Sequence, residues 1–139
     1  MTPTAASHHP IVVDASVVVS ALLDSGPEGT WASTELAHGL LVAPHLMPFE
    51  AANIIRRSAQ VGDISNDAAS MAHEDLLQLR VELYGYEPLA ARAWELRHNT
   101  TIYDGAYVAL AEMLQAPLLT LDGRLVRATG PKCKFVTPN

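Results

Sequence analysis

Ile102-Tyr-Asp104-Gly-Ala-Tyr107-Val-Ala-Leu-Ala111-Glu-Met-Leu-Gln115-Ala-Pro117-Leu-Leu-Thr120-Leu-Asp122 changes its apolar pattern midway. From Tyr103 to Gln115, the residues Tyr103, Ala106, Tyr107, Leu110, Ala111 and Leu114 recur every three or four positions, the stripe of a helix laid on a core. Pro117 stops that helix. Leu118 to Leu121 is then a short apolar run of the kind that forms a strand covered on both faces, and Asp122 closes it.

The same order recurs back through the chain. Pro10 precedes the β-branched run Ile11 to Val13, which ends at Asp14, and Ala15 to Leu23 follows as a helix before Gly26 and Pro27 break it. A helix over about 28–38 ends at Gly39, and Leu40 to Ala43 is the next strand. Pro44 and Pro48 frame the start of a helix running to about Val61, with Met47, Ala51, Ile54 and Ile55 facing the core and Gly62 stopping it. Ser65 caps a helix through Leu79, and Val81 to Leu83 is a weak strand. Pro88 opens a helix to His98 with Leu89, Ala93, Trp94 and Leu96 inward, and Phe135 and Val136 form a last edge strand. Strands interleaved with helices specify an α/β domain whose mostly parallel central sheet is flanked by helices on both faces.

Composition agrees with one such domain: 139 residues at 49% hydrophobic content are enough for one core. Residues 10–139 are expected to form it, and 1–9 a mobile N-terminal extension. No apolar run approaches the ~20 residues of a membrane span, and the first ten residues lack a signal core, so a cytoplasmic protein without membrane contact is expected. Cys133 is the single cysteine and has no partner for a disulfide or a thiolate metal site. The formal charge of -6 excludes a protein that coats nucleic acid through bulk electrostatics, though not one that acts on nucleic acid. Arg124, Arg127, Lys132 and Lys134 make the only basic cluster, in a tail free of acids.

Four carboxylates stand where a core-building sequence would not put them. Asp14 and Asp122 end apolar strands, the edge at which open α/β sheets bind ligands. Glu50 rides on the apolar stripe between Met47 and Ile54, where it loses solvation and needs a partner such as Arg56 or Arg57. Asp104 opens the strongest helix. Taken singly, each aspartate reads equally as a turn residue or a helix cap. Taken together, neighbouring carboxylates repel unless a cation lies among them. All-oxygen ligands favour Mg²⁺, with Mn²⁺ as the alternative, over zinc. Such an ion activates water and neutralises charge on a phosphodiester. Ser16, Asn53 and Thr120 are placed to orient the ligands.

Ile11-Val-Val-Asp14-Ala-Ser16, Pro48-Phe-Glu50-Ala-Ala-Asn53, Ile102-Tyr-Asp104-Gly-Ala-Tyr107-Val-Ala-Leu-Ala111-Glu and Leu119-Thr120-Leu-Asp122-Gly-Arg-Leu125 resemble, in order and spacing, the PIN-domain ribonucleases. The likeness covers roughly residues 10 to 137 and is greatest to the VapC-type toxins of bacterial toxin–antitoxin pairs. It implies a Mg²⁺-dependent endoribonuclease whose catalytic metal ligands are Asp14, Glu50, Asp104 and Asp122. It also implies a homodimer and inhibition by a small DNA-binding antitoxin laid along the helices from about Pro44 to Leu79. Two departures are Gly105, where the family usually has alanine and where a looser helix start is expected, and the longer segment before the first strand.

Other readings fit less well. A haloacid-dehalogenase-like phosphotransferase needs a second aspartate where Ser16 stands, and a receiver module needs an acid pair after its first strand. A non-catalytic binding module on the same fold is the alternative, against which the presence of all four acids speaks. His8 and His9 read as part of the mobile terminus, His45 and His73 as surface or structural, and Trp31 and Trp94 as core or dimer contacts. If residues 122–128 form a helical turn, Arg124 and Arg127 share a face that meets RNA phosphates beside the scissile bond.

Overall fold

Ile11, Val12 and Val13 have no polar side chain to offer water, and all three are buried in the central strand β1 (Pro10–Val13). The computed structural model describes residues 9–138. The expected extension over residues 1–9 therefore lies outside them except for His9, whose backbone carbonyl accepts a hydrogen bond from Leu40 N at 2.8 Å.

Five strands form one all-parallel sheet in the order β3-β2-β1-β4-β5. Val12 of β1 lies opposite Val42 of β2 (Leu40–Pro44) on one side and Leu118 of β4 (Leu118–Leu119) on the other. The edges are β3 (Glu82–Tyr84) and β5 (Phe135–Val136). Parallel neighbours need crossovers, which helices supply. Helices α1 (Ala15–Leu23) and α2 (Pro27–Leu36) link β1 to β2, and α3 (Met47–Gln60) and α4 (Asn66–Gln78) link β2 to β3. A 3-10 turn (Glu87–Leu89), α5 (Ala90–Glu95) and α6 (Ile102–Leu114) lead to β4, and α7 (Gly123–Val126) precedes β5.

The chain therefore builds outward from β1 in one direction and then returns to its other side. Where the strand order reverses, the carboxyl ends of β1 and β4 open a crevice, the place where such sheets receive ligands. Asp14 N donates to Leu119 O at 3.0 Å and pins the two strand ends together. No helix among the described residues is long and apolar enough to cross a membrane.

Several local expectations need correction. β4 stops at Leu119 rather than Leu121, although Thr120 N still donates to Val136 O at 3.2 Å, and the Thr120 hydroxyl turns to Asp14. Ile54 lies at the exposed margin of α3, leaving Met47, Ala51 and Ile55 as its buried stripe. Trp94 is 58% exposed instead of inward, with the Arg97 guanidinium 4.6 Å from its ring centroid. Tyr103 is 62% exposed, so the buried stripe of α6 starts at Gly105 and Ala106. Gly62 ends α3 in the left-handed region (φ 84°), as expected of a stop signal. Gly105 does not loosen α6: a Cβ there would come within 3.3 Å of the Ala93 backbone, so the glycine lets α5 and α6 close on each other.

Candidate active site

All four acids reach the crevice, each from a different element. Asp14 follows β1, Glu50 sits in the first turn of α3, Asp104 in the first turn of α6, and Asp122 just before α7. Local sequence explains each placement. Thr101 caps α6 by accepting from Asp104 N at 3.1 Å, which fixes Asp104 at the helix end where a negative charge is favourable. Asp122 caps α7 itself, its Oδ1 accepting from Arg124 N at 2.9 Å and Leu125 N at 3.4 Å. Asp14 occupies the position before α1 but makes no side-chain cap.

Asp14 is held instead by two hydroxyls. Ser16 Oγ donates to its Oδ2 at 3.1 Å and Thr120 Oγ1 donates to the same oxygen at 2.7 Å. Each hydroxyl also accepts a backbone N–H of the outgoing β4 loop, Leu121 N to Ser16 at 3.2 Å and Asp122 N to Thr120 at 3.0 Å. Both side chains therefore couple the loop that carries Asp122 to the strand that carries Asp14. Glu50 is held by a residue read from sequence only as core: the buried Tyr107 phenol donates to its Oε1 at 2.7 Å. A phenol three residues past Asp104, on an otherwise apolar stripe, was the available signal, since a buried hydroxyl needs a partner.

In Asp14, Glu50 and Asp122 one carboxylate oxygen is thus tied down by the protein while the other takes none of these bonds. The charges interact across the crevice. Burial pushes the Asp14 carboxyl up, with the Thr120 and Ser16 hydroxyls opposing. Burial also raises Glu50, and Asp14 and Asp104 push it further while the Tyr107 phenol pulls it back. Asp104 is raised by burial, then by Asp14 and Asp122, and Arg124 opposes. Tyr107 is itself pushed far up by burial and by Asp14 and Glu50, so it stays a hydrogen-bond donor.

Among the described residues, no three His, Cys, Asp or Glu side chains are drawn close enough to hold a metal ion jointly by direct ligation. The donor set nonetheless fits a hard divalent cation. Mg²⁺ keeps several waters and is commonly held by one or two carboxylates, and here such a cation relieves the repulsion of Asp14 and Asp104 on Glu50 and of Asp14 and Asp122 on Asp104.

The remaining expected site residues divide. Ser16 and Thr120 are at the acids. Asn53 is exposed on α3, where its Oδ1 accepts from Arg56 Nε at 2.8 Å, and it bonds none of the four acids. That bond also removes Arg56 as the partner expected for Glu50. Arg124 and Arg127 do not share a face. Arg124 lines a cleft of about 530 Å³ with Asp104 and Asp122, whereas Arg127 lines a separate recess with Glu28 and Pro138.

The PIN domain model matches residues 11–131 of this chain. Ribonuclease VapC1 of Mycobacterium tuberculosis is 40% identical over 125 residues, which cover 89% of this chain and 94% of that protein. The crystal structure of PAE2754 from Pyrobaculum aerophilum is similar with a TM-score of 0.67 at 22% identity, over 95% of this chain and 92% of that one. VapBC2 from Rickettsia felis, solved bound to a DNA fragment from its promoter, is similar with a TM-score of 0.65 at 12% identity, over 92% and 98% of the two chains. At those identities the two structures share the fold alone.

Proposed function

This chain belongs to the PIN-domain family, and from that premise we propose that it is the endoribonuclease toxin of a toxin–antitoxin pair. In this reading it hydrolyses RNA phosphodiester bonds at the crevice formed by Asp14, Glu50, Asp104 and Asp122. The observation that carries the reading is the convergence of four carboxylates from four chain segments at the switch point, three of them with raised pKa values. The relative named a ribonuclease, 40% identical along most of both chains, supports the activity.

A divalent cation, Mg²⁺ or Mn²⁺, held by these acids and their waters would activate a water nucleophile and neutralise charge developing on the phosphodiester. The chain's own residues prepare that site. Thr120 and Ser16 turn Asp14 so that its second oxygen is left for an ion. Tyr107 does the same for Glu50. Asp122 commits one oxygen to α7 and keeps the other, and Arg124 sets a fixed positive charge beside Asp104.

The partner in this reading is an antitoxin. A groove of about 640 Å³ beside α1 and α3 is lined by Val19, Leu23, Ile54 and Ile64 together with Ser16 and the acids Asp24, Glu28 and Asp63. Exposed Val61, Met71 and Leu77 continue the apolar surface over α3 and α4. An antitoxin segment lying there would bring an arginine within reach of the carboxylates, where it stands in for the cation. Antitoxin binding that is unchanged by both Glu50→Ala and Ile54→Asp contradicts this placement. A homodimer completes the proposal, and sedimentation of the purified chain tests it.

The activity test is direct. Purified protein is incubated with single-stranded RNA in chelator and after addition of Mg²⁺ or Mn²⁺, beside Asp14→Asn and Glu50→Gln. Cleavage is expected only with added ion and only in the intact chain. RNA that stays whole under all conditions supports the non-catalytic binding module instead.

A further inference from the structure

Asp104 and Asp122 line a cleft together with the loop residues Arg97 to Thr101, between α5 and α6. That loop contributes Arg97, His98, Asn99 and Thr101, and α7 contributes Arg124. The sequence places Arg97 and His98 at the end of the helix opened by Pro88 and gives this loop no motif of its own. In a chain of net charge -6 the guanidinium groups of Arg97 and Arg124 line a cleft shared with Asp104 and Asp122. Arg92 is paired with Glu95 and Glu112, yet neither Arg97 nor Arg124 is paired with any carboxylate among the described residues.

Arg97 is also held in place. Its guanidinium lies 4.6 Å from the Trp94 ring centroid, and Nη1 donates to Trp94 O at 2.9 Å. This leaves Nη2 and Nε for another acceptor. The charge of Arg124 already acts on Asp104, beside which it lines the cleft. A preoriented guanidinium fork matches the oxygens of a phosphate.

Resting on the ribonuclease reading, we propose that this cleft is the track along which the RNA strand leaves the acids, with Arg97 and Arg124 each gripping one backbone phosphate. Asn99 and Thr101 between them offer neutral hydrogen-bonding groups to the sugar-phosphate chain, so binding there demands no particular base. Arg127, in its separate recess, takes no part.

The test measures binding of a fluorescein-labelled single-stranded RNA by anisotropy between 50 and 200 mM salt, in the Asp14→Asn background so that the RNA stays whole. Each phosphate that the protein no longer grips lowers the slope of log affinity against log salt by roughly 0.7 for a single strand. Over that fourfold range, releasing one phosphate makes the change in affinity about 2.6-fold smaller. Arg97→Ala and Arg124→Ala should each show this flattening, Arg97→Lys should keep the parent slope, and Arg127→Ala should match the parent. An unchanged slope in Arg97→Ala, with Arg124→Ala flattened, removes Arg97 from the track while the ribonuclease reading stands. Weakened capture of purified antitoxin by Arg97→Ala, with the RNA slope intact, assigns the cleft to the protein partner and overturns the proposal. Absence of RNA binding in the parent, together with absence of cleavage by the intact chain, overturns the proposal and the ribonuclease reading together.

Discussion

Replacing Tyr107 with phenylalanine removes one oxygen from the core and leaves its shape nearly unchanged, so the consequence falls on Glu50. The phenol donates to Glu50 Oε1 at 2.7 Å, and a hydrogen bond to a charged acceptor contributes about 1.5–3 kcal/mol. Glu50 is only half-buried, and water can replace part of the bond, so the lower figure of about 1.5 kcal/mol applies near neutral pH. For a chain of this length, with roughly 4 °C per kcal/mol, the melting temperature should fall by about 6 °C. The effect should also depend on pH. The phenol holds the Glu50 carboxyl down against burial and against Asp14 and Asp104, so without it the folded-state pKa rises further. A carboxyl raised in the folded state contributes stability at low pH that is lost as pH rises through the folded value. The gap between variant and parent should therefore be widest near neutral pH and shrink toward the ordinary glutamate value of 4.5. Paired thermal unfolding in chelator at neutral and mildly acidic pH reads both quantities. A gap of equal size at the two pH values, or none at neutral pH, would refute the coupling of Tyr107 to a charged Glu50.

Asp14→Asn should keep or slightly raise the melting temperature in chelator while abolishing cleavage. Both hydroxyl donors converge on one oxygen that an amide carbonyl can replace, and a buried charge is relieved. Substantial unfolding of that variant would make the acid structural. Asp14, Glu50 and Asp104 are all raised, so the chelated protein should gain stability as pH falls from about 7 toward about 5, and millimolar Mn²⁺ should flatten that dependence. A steady decline in stability over the same range, by differential scanning calorimetry, contradicts the crowding of these acids. Thr120→Val removes a fully buried hydroxyl that donates to Asp14 and accepts from Asp122 N, and should cost about 2–4 kcal/mol in denaturant unfolding. A cost near zero would mean that Thr120 does not couple the two strand ends.

The fold was legible because burial and period agree wherever a strand is central. Ile11 to Val13 and Leu40 to Ala43 are apolar without interruption, and both pair on two sides in the sheet. Legibility fell where a side chain's direction depends on a partner far along the chain. Trp94 and Tyr103 satisfied helical spacing yet face outward, because spacing fixes an angle around the helix and not what lies opposite it. The four acids were found as exceptions to local patterning, and the same reading singled out Ser16 and Thr120, whose hydroxyls bond Asp14. The bonds that hold the site could not be read. Tyr107 reaches Glu50 across 57 residues, and Arg97 meets the cleft from the loop between α5 and α6, which approach each other closely at Gly105. The divergence of Arg124 and Arg127 was hidden for a similar reason. A three-residue interval makes two helical side chains neighbours, but Arg127 is the C-cap of the four-residue α7 and its guanidinium lies against Gly123.

The central claim, that the converging carboxylates make this chain cut RNA, is tested most directly by sequencing RNA ends in cells after induced expression of the intact chain and of Asp14→Asn at matched protein levels. The account requires new internal RNA ends with the intact chain and their absence with the variant. The same ends in both, or in neither, would contradict it.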